Sequence, residues 1–568
     1  MSARALRIAG AAALLLAIAA LRAAAIPRAP FNWDELALFD SVTRTLRDGV
    51  LRSGGRPGLA QILVMPLVEG CRDEARVGQL ARGAWLAITA VYLAGVFALL
   101  FELLRGRRHR VHDACLGVAL LALVPAFLEW SLQVRTDQLA LCGAVWGGVA
   151  LLRSERKPGL ALCAGLCFGL GWASSQKLAY GAALAGALAV SRLLAQRSFT
   201  LQRDGWRASL TVAGFGTVLL CYRALVMWVF TLPENHAARH LLGPQLEAAH
   251  GNVFPFYRAT IGYSQYLAML PTLVPHALLL LGLAAATALV WRGGRGDRGA
   301  ALLATAWGVL ALGLAVGAYH AAAFAYFWMT LGLFPAVAGA LAAGEIRERL
   351  LASRPGWGLP LAAALWIALL VPAGFESALL LRDRQAVQRD SLAFVHRNFA
   401  PDQQGFHPEG GAFCATPHPL GIYFSQRIFR EFAGEGRETR SAEVERHFRN
   451  RPVHYLLQSF RLNQFPPELR KFFADHYQPY RGAVFVAGRR LAPDASSFEL
   501  LIDGRYRWLP FDGAHPALVD GEALAPGQVV TLSAGPHAAR LPAGAAGLLV
   551  LAVEDPPGPA PVSFYGSG

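Results

Sequence analysis

The stretch from residue 135 to residue 190, RTDQLALCGAVWGGVALLRSERKPGLALCAGLCFGLGWASSQKLAYGAALAGALAV, decides the class of fold. Apolar blocks lie at about 137–152 and 159–175, and a third begins at 178. The basic turn Arg153–Lys157 separates the first two. Blocks of this length can cross a hydrocarbon core of roughly 30 Å as helices, which satisfy their own backbone polar groups. The pattern therefore predicts a polytopic α-helical membrane protein.

The composition of the whole chain supports a membrane setting. Of its 568 residues, 54% are hydrophobic and only 16% are charged, which is more apolar and less charged than an ordinary soluble protein. Long apolar blocks differ from the alternating strands of a membrane barrel. The net charge is +15, but much of the surplus lies in short loops between apolar blocks, where it sets orientation among the membrane lipids. No nucleic-acid partner is therefore expected.

Eleven apolar blocks run along the chain, and a basic loop follows every second one. The blocks lie at about 5–26, 82–104, 112–130, 137–152, 159–175, 178–195, 208–231, 267–291, 299–319, 321–343 and 358–375. The basic loops are Arg105–Arg110, Arg153–Lys157, Arg192–Arg207, Trp291–Arg298 and Arg347–Arg354. The positive-inside rule places these loops and the N-terminus in the cytoplasm. Eleven spans then place the tail in the periplasm of a bacterial-type inner membrane.

The tail changes character near residue 376, because Pro, Gly and charged residues interrupt every apolar run after it. We predict a transmembrane domain over 1–376, with outer loops at 27–81 and 232–266, and a C-terminal domain over 377–568. Turn residues bound five short strand candidates, PVHYLLQS, GAVFVAG, RYRWLP, QVVTLSAG and GLLVLAV. They predict an α+β or β-sandwich domain.

Two adjacent carboxylates, Asp34 and Glu35, open the first outer loop a few residues beyond the first span. Adjacent acids at a membrane face can serve a proton transfer, bind a metal or be solvated. Their spacing alone leaves all three roles open.

Cations also lie at the outer ends of spans, against the positive-inside rule. Arg135 and Asp137 stand where the fourth span begins, and Lys177 follows the fifth. Arg223 lies inside the seventh span, where snorkelling to the outer surface is the alternative. Such ionisable residues are functional hypotheses by default. Cations at this depth suit a lipid phosphate, with Asp137 in a supporting role, and a nearby carboxylate could take a proton from an incoming hydroxyl.

Three stretches of the chain resemble the GT-C glycosyltransferases, particularly the protein O-mannosyltransferase-like branch (glycosyltransferase family 39) and the lipid A aminoarabinose transferases. WDELALFDSV, residues 33–42, resembles the Asp-Glu motif of their first outer loop. Residues 135–190 are similar to their Arg-x-Asp span, basic turn, Gly-rich span and terminal Lys. HAAAFAYFWMTLGLFPAVAGAL, residues 320–341, is similar to their late span pair, in which an aromatic cluster precedes a Pro-containing helix.

The resemblance implies a GT-C-like fold and a transferase of the cell envelope. Such an enzyme moves a sugar from a polyprenyl-phosphate carrier to an acceptor hydroxyl on a lipid, glycan or protein, with inversion. By motif position, Asp34 would be the general base and Glu35 its support. Arg135 and Lys177 would contact the donor phosphate, and Arg223 is a further candidate for that contact.

The chain departs from the family at Gly54–Leu59. Several relatives carry Lys-Pro-Pro-Leu there, sometimes preceded by a metal-binding Glu. Arg56 is the candidate to replace that Lys in donor phosphate binding, and no Glu precedes it. His236, His240 and His250 in the second outer loop keep a divalent metal open, with solvated loop histidines as the alternative.

Two other functional classes stay open. A transporter or flippase would carry its charges near the midplane and show internal symmetry, whereas these charges lie at outer span ends and no repeat is visible. The other alternative is a catalytically inactive GT-C relative with an assembly role. The sequence identifies neither the sugar nor the acceptor.

Overall fold

The chain divides into two compact units. In the computed structural model, the described residues are 13, 16–17, 19–51, 58–71, 73–196, 200–232, 269–293, 298–320, 325–347, 356, 358–400, 403–407, 437–451, 453–459, 462–493, 497–513 and 515–558. The span unit comprises Met1–Ala29, Arg44–Pro66 and Gln79–Arg382. The tail unit comprises Pro30–Thr43, Leu67–Gly78 and Asp383–Gly568. Two short segments of the predicted first outer loop thus belong with the tail.

Helices make up most of the chain before the tail. Residues 19–25 are helical. The helices that follow are α1 (Trp33–Asp48), α2 (Leu59–Glu69), α3 (Glu74–Leu103), α4 (Arg110–Ala122), α5 (Pro125–Trp130), α6 (Thr136–Arg153), α7 (Leu160–Ser174), α8 (Leu178–Gln196), α9 (Leu201–Val229), α10 (Val274–Gly293), α11 (Arg298–His320), α12 (Trp328–Leu331), α13 (Leu333–Ile346) and α14 (Gly358–Leu380). Short 3-10 helices cover Leu270–Leu273 and Ala325–Phe327.

The predicted polytopic membrane class is confirmed. Among the described residues, seven helices are long and apolar enough to cross a membrane, namely Glu74–Leu103, Leu178–Ala195, Leu201–Val229, Leu270–Ala288, Gly299–Ala318, Trp328–Ile346 and Pro360–Leu380. The other three predicted blocks beyond residue 82 also form helices, α4 with α5, α6 and α7. The first predicted block is described only in part, at residues 13 and 16–17 and from residue 19 onward.

The first outer loop differs from its prediction, because it is largely helical. It contains α1 and α2, and α3 already begins at Glu74 instead of at residue 82. Hydropathy marks only the apolar part of α3, whereas its first turns carry charged residues that are also good helix formers. The predicted block 112–130 is broken between α4 and α5. Val124 is extended at the break because Pro125 follows it.

Glycines allow α6, α7 and α9 of the span unit to pack closely. A Cβ atom on Gly143 of α6 would lie 2.5 Å from the carbonyl oxygen of Cys167 in α7. A Cβ atom on Gly165 of α7 would lie 2.0 Å from the carbonyl oxygen of Thr211 in α9. Small residues are typical of such close helix contacts in membranes. Because α6 and α7 follow each other through a short turn, the start of α6 lies beside the end of α7.

The tail unit contains helices and two sheets. Its helices are α15 (Ala386–Asn398), α16 (Arg437–Asn450) and α17 (Pro467–His476). Its strands are β1 (Gly405–Phe406), β2 (Tyr455–Leu457), β3 (Tyr477–Arg481), β4 (Val484–Leu491), β5 (Ser497–Leu500), β6 (Gly504–Pro510), β7 (Ala517–Val519), β8 (Glu522–Leu524), β9 (Val529–Leu532), β10 (Gly535–Arg540) and β11 (Gly547–Leu551). All five strand candidates coincide with strands, namely β2, β4, β6, β9 and β11.

The larger sheet has the order β1-β2-β4-β11-β6-β9, with β3 also paired to β4, and the smaller has the order β5-β10-β7-β8. Apart from the parallel pair of β1 and β2, the recorded pairings are antiparallel. An aromatic core that includes Phe406, Phe448 and Phe473 packs β1 with α16 and α17. The tail is therefore an α+β domain, one of the two predicted alternatives.

Candidate functional site

Lys177 and Asp137 form a largely buried ion pair where the beginning of α6 lies beside the end of α7. Lys177 Nζ donates to Asp137 Oδ2 at 2.7 Å, and the side chains are 15% and 7% exposed. The Ser175 hydroxyl lies 3.4 Å from the other oxygen of Asp137. Asp137 is in the first turn of α6, whereas Ser175 and Lys177 follow the end of α7. A short turn joins α6 to α7, which run antiparallel, and so Asp137 and Lys177 meet although they are far apart in sequence.

Arg135 joins this pair, and its backbone is held on both sides. Arg135 Nε lies 3.8 Å from Asp137 Oδ2, so two cations approach the same carboxylate. The backbone N–H of Arg135 donates to Gln138 Oε1 at 3.3 Å, and the buried Trp85 indole donates to the Arg135 carbonyl at 2.8 Å. These bonds fix the Arg135 backbone at the start of α6, and the Arg135 Nη1 atom donates to Gln133 Oε1 at 3.3 Å. A site held in this way is preorganised for a ligand.

Aromatic rings contact both cations. The guanidinium carbon of Arg135 lies 4.0 Å from the centre of the Tyr326 ring, and Lys177 Nζ lies 4.8 Å from it. Lys177 Nζ is also 5.5 Å from the Phe327 ring, and Trp130 lies 5.8 Å from the Arg135 guanidinium. Cation–π contacts stabilise charge where water is scarce. We call Arg135, Asp137, Lys177 and these three rings the cation cluster.

Asp34 and Glu35 lie in the tail unit, in the first turn of α1. Their chain turns at Asn32, whose side-chain oxygen accepts the backbone N–H of Asp34 at 2.9 Å. The Glu35 side chain accepts the backbone N–H of Asn32, also at 2.9 Å. Asn32 is thus the N-cap, bonded to the second helical residue, while Glu35 at the third position bonds back to the Asn32 backbone as in a capping box. Glu35 is fully buried and Asp34 only partly so, and the two adjacent carboxylates therefore have different environments.

Helix α15 of the tail unit is hydrogen-bonded to the chain at Phe31, shortly before Asp34 and Glu35. The backbone N–H of Phe31 donates to Gln388 Oε1 at 2.6 Å, and Gln388 Nε2 donates back to the Phe31 carbonyl at 3.0 Å. On the same helix, the His396 imidazole is hydrogen-bonded to the buried carboxylate of Glu74. This bond raises the pKa of His396 above its usual 6.5, against the opposing effect of burial. Two tail side chains thus fix parts of the first outer loop.

Of the remaining predicted residues, only Arg223 lies in the described part of the chain. Arg223 is half-buried on α9, and no ion pair of it is found among the described residues. Arg56, His236, His240 and His250 lie outside the described residues. Within the described ranges, no group of three or more His, Cys, Asp or Glu side chains could hold a metal ion.

Several contacts of the site were not predicted from the sequence. The aromatic run before α13 was noted as a motif, but its contact with Arg135 and Lys177 was not. Trp85 and Gln138, which hold Arg135, carry no local signal. The cap of α1 does have a local signal in the sequence. Asn32 is followed three residues later by Glu35 before an apolar run, which is typical of a helix start.

No protein-family model and no curated protein sequence matches the chain. Among solved structures, its fold is similar to ArnT from Cupriavidus metallidurans in the apo state, with 14% identity, 86% of this chain and 98% of that chain covered, and a TM-score of 0.49. The same protein bound to undecaprenyl phosphate gives 13% identity, coverages of 82% and 94%, and a TM-score of 0.41. The Archaeoglobus fulgidus oligosaccharyltransferase complex with Zn and sulfate gives 13% identity, coverages of 82% and 71%, and a TM-score of 0.47.

These solved structures belong to the GT-C superfamily, the class whose motifs the sequence resembles. Similarity at this level concerns the fold alone. The chemistry of this chain has to be argued from its own residues.

Proposed function

We propose that this protein is a membrane glycosyltransferase that takes a sugar from a polyprenyl-phosphate carrier and transfers it, with inversion, to an acceptor hydroxyl outside the cytoplasm. The observation that carries the proposal is the cation cluster. Lys177 Nζ and Arg135 Nε place two cations at 2.7 Å and 3.8 Å from the same oxygen of Asp137, and a site with an excess of cations favours an anionic ligand. Their partly buried position at span ends suits a phosphate whose lipid tail stays in the bilayer.

In the proposed reaction, Arg135 and Lys177 bind the phosphate that leaves the anomeric carbon. Asp34 takes the proton of the acceptor hydroxyl as the new glycosidic bond forms. Glu35 supports this step by capping the helix that carries Asp34. Asp137 orients Lys177 through their ion pair.

The transporter alternative has less support, because Arg135 and Lys177 stand at helix ends and a transport site is expected near the midplane. An inactive relative would retain the cluster without turnover. Only an activity measurement separates that alternative from an enzyme.

The test is to reconstitute the full chain in liposomes that contain membrane lipid extract and to follow polyprenyl-phosphate sugars by mass spectrometry. We expect one lipid-linked sugar to be consumed, with release of polyprenyl phosphate and gain of a sugar on an acceptor. The matched control carries Asp34→Asn. Movement of an intact lipid-linked sugar across the bilayer without its cleavage would support the transporter instead.

A further inference from the structure

Another buried arginine, Arg22, lies at the outer end of the first predicted span. It belongs to the helical residues 19–25 and is only 2% exposed. The same rule that identified Arg223 in the sequence applies to Arg22, since an ionisable residue within a span is costly and marks function by default. Unlike Arg223, Arg22 is almost fully enclosed by protein.

Arg82 shows what a structural arginine in this region looks like. It is also buried, and its Nη1 donates to the carbonyl oxygen of Ala29 at 2.7 Å and more weakly to that of Ile26 at 3.4 Å. Those carbonyls belong to the end of the same N-terminal segment. Cations and carbonyls pair favourably at the C-terminal end of a helix. Arg82 therefore has a sufficient explanation in the fold.

Arg22 has no such explanation. Within the described part of the chain, its Nε and Nη2 atoms are buried without a hydrogen-bond partner. Its guanidinium carbon lies 4.8 Å from the centre of the Phe127 ring. A ring contacts the face of the guanidinium and leaves the N–H groups at its edge unsatisfied. A buried guanidinium in this state is costly to retain, and an oxyanion is a partner that would satisfy both its N–H groups and its charge.

Phe127 connects Arg22 to the cation cluster. It lies on α5, a helix of 6 residues that also carries Trp130. The Trp130 ring lies 5.6 Å from the Tyr326 ring and 5.8 Å from the Arg135 guanidinium. One short helix therefore provides aromatic contacts to Arg22 and to Arg135, the residue assigned to the donor phosphate.

We propose that Arg22 binds a phosphate oxygen of the lipid-linked carrier, as a phosphate-binding residue additional to Arg135 and Lys177. The proposal rests on the proposed function and names a further contact to the same substrate. The planar N–H fork of arginine matches a pair of phosphate oxygens. Binding of the phosphate would satisfy the donors that are unpaired without it.

The test measures thermal stability and ligand binding of the purified full chain in detergent, with undecaprenyl phosphate as the probe. The variants are Arg22→Met, which keeps an unbranched apolar side chain, and Arg22→Lys, which keeps the charge but loses the fork. Arg28→Ala is the matched control, because Arg28 is an exposed arginine of the same segment. Three further ligands are compared. Undecaprenol lacks the phosphate, inorganic phosphate lacks the lipid, and phosphatidylglycerol lacks the polyprenyl chain.

Arg22→Met should bind undecaprenyl phosphate about ten-fold or more weakly than the wild type, with Arg22→Lys intermediate and Arg28→Ala unchanged. Without ligand, Arg22→Met should melt at a higher temperature than the wild type, because an unpaired buried charge has been removed. Binding of undecaprenol should be the same in all variants. A parallel loss of inorganic phosphate binding would support a site that recognises the phosphate group itself.

Wild-type binding of undecaprenyl phosphate by Arg22→Met would overturn this inference and leave the proposed function intact. So would a lower melting temperature of the ligand-free variant, which would assign Arg22 a structural role. A loss confined to phosphatidylglycerol would also contradict it, because the site would then hold a membrane phospholipid. If the wild type itself fails to bind undecaprenyl phosphate, the proposed function fails as well.

Discussion

Lys177 Nζ lies 2.7 Å from Asp137 Oδ2, although the two residues are 40 positions apart in the chain. Both side chains are largely buried, and Arg135 approaches the same carboxylate. Removing one partner of a buried ion pair leaves an uncompensated charge, whereas removing both does not. This difference allows the structural and the functional contribution of Lys177 to be measured separately.

Lys177→Met should weaken use of the lipid-linked donor by roughly ten-fold to over a hundred-fold, because a charge-assisted phosphate contact is lost. It should also lower stability, since Asp137 stays buried without its lysine. Adding Asp137→Asn should recover the stability but not the donor use. Melting temperatures and donor kinetics of the single and double variants check this, with the exposed Lys157→Met as control. Recovery of both properties in the double variant would remove Lys177 from the phosphate site.

Arg135→Lys should reduce donor use less than Arg135→Ala does. Lysine keeps the charge, but it loses the planar fork and stacks less well on the Tyr326 ring that lies 4.0 Å from the guanidinium. For Arg135→Ala we expect a loss of roughly ten-fold to over a hundred-fold in donor use. Steady-state kinetics at varied donor concentration measure the effect. Equal kinetics for wild type and Arg135→Ala would contradict the assignment.

Asp34→Asn should reduce the transfer rate by about 100-fold to 10,000-fold, because the amide cannot accept a proton from the acceptor hydroxyl. Donor binding should persist, since the phosphate contacts are assigned to other residues. Single-turnover rates and donor affinities separate these effects. If Asp34→Asn transfers sugar at close to the wild-type rate, Asp34 is not the base.

Glu35 provides the matched control for that experiment. Glu35→Gln should have little effect on rate or stability, because glutamine also completes a capping box. Glu35→Ala should lower the stability of the helix by about 1 kcal/mol, the usual effect of losing a cap. Circular dichroism melting of both variants measures this difference. A rate loss in Glu35→Gln as large as that of Asp34→Asn would instead give Glu35 a direct chemical role.

The hydrogen bond between His396 and Glu74 should make stability depend on pH. Glu74 raises the pKa of His396 above 6.5, so the folded state favours the protonated imidazole. The stabilisation is therefore fully present below about pH 6.5 and is lost as pH rises through the raised pKa. Melting temperatures of wild type and His396→Gln, compared from about pH 5.5 to about pH 8.5, should differ most at the acidic end. A difference that grows toward alkaline pH would have the wrong sign.

The orientation of the chain is a further prediction. A reporter fused after Gly568 should be active only outside the cytoplasm, and one fused near Arg295 only inside, because basic loops follow every second apolar block. Paired alkaline phosphatase and fluorescent protein fusions measure this. Cytoplasmic activity of the C-terminal fusion would overturn the count of eleven spans and the placement of Asp34 and Lys177.

The sequence by itself determined the membrane class, the helical blocks beyond residue 82 and the positions of β2, β4, β6, β9 and β11. Hydropathy and turn residues act over a few neighbouring positions, so β4 and β6 of the tail and the helices beyond residue 82 could be predicted without any long-range contact. The same local reasoning selected Arg135, Asp137 and Lys177, because charges at span ends stand out against apolar surroundings. It also grouped Asp34 with Glu35, since it could not distinguish the two carboxylates.

Only the tertiary structure decided what these residues contact. Close packing at glycines such as Gly143 and the short turn between α6 and α7 place Asp137 against Lys177. The Tyr326 ring contacts both cations although it lies far along the chain from them. Burial separates Glu35, which caps a helix, from the more accessible Asp34, and it leaves Nε and Nη2 of Arg22 without a hydrogen-bond partner within the described part of the chain. Burial, pairing and ring contacts arise between distant segments, and no local pattern of hydropathy or charge encodes them.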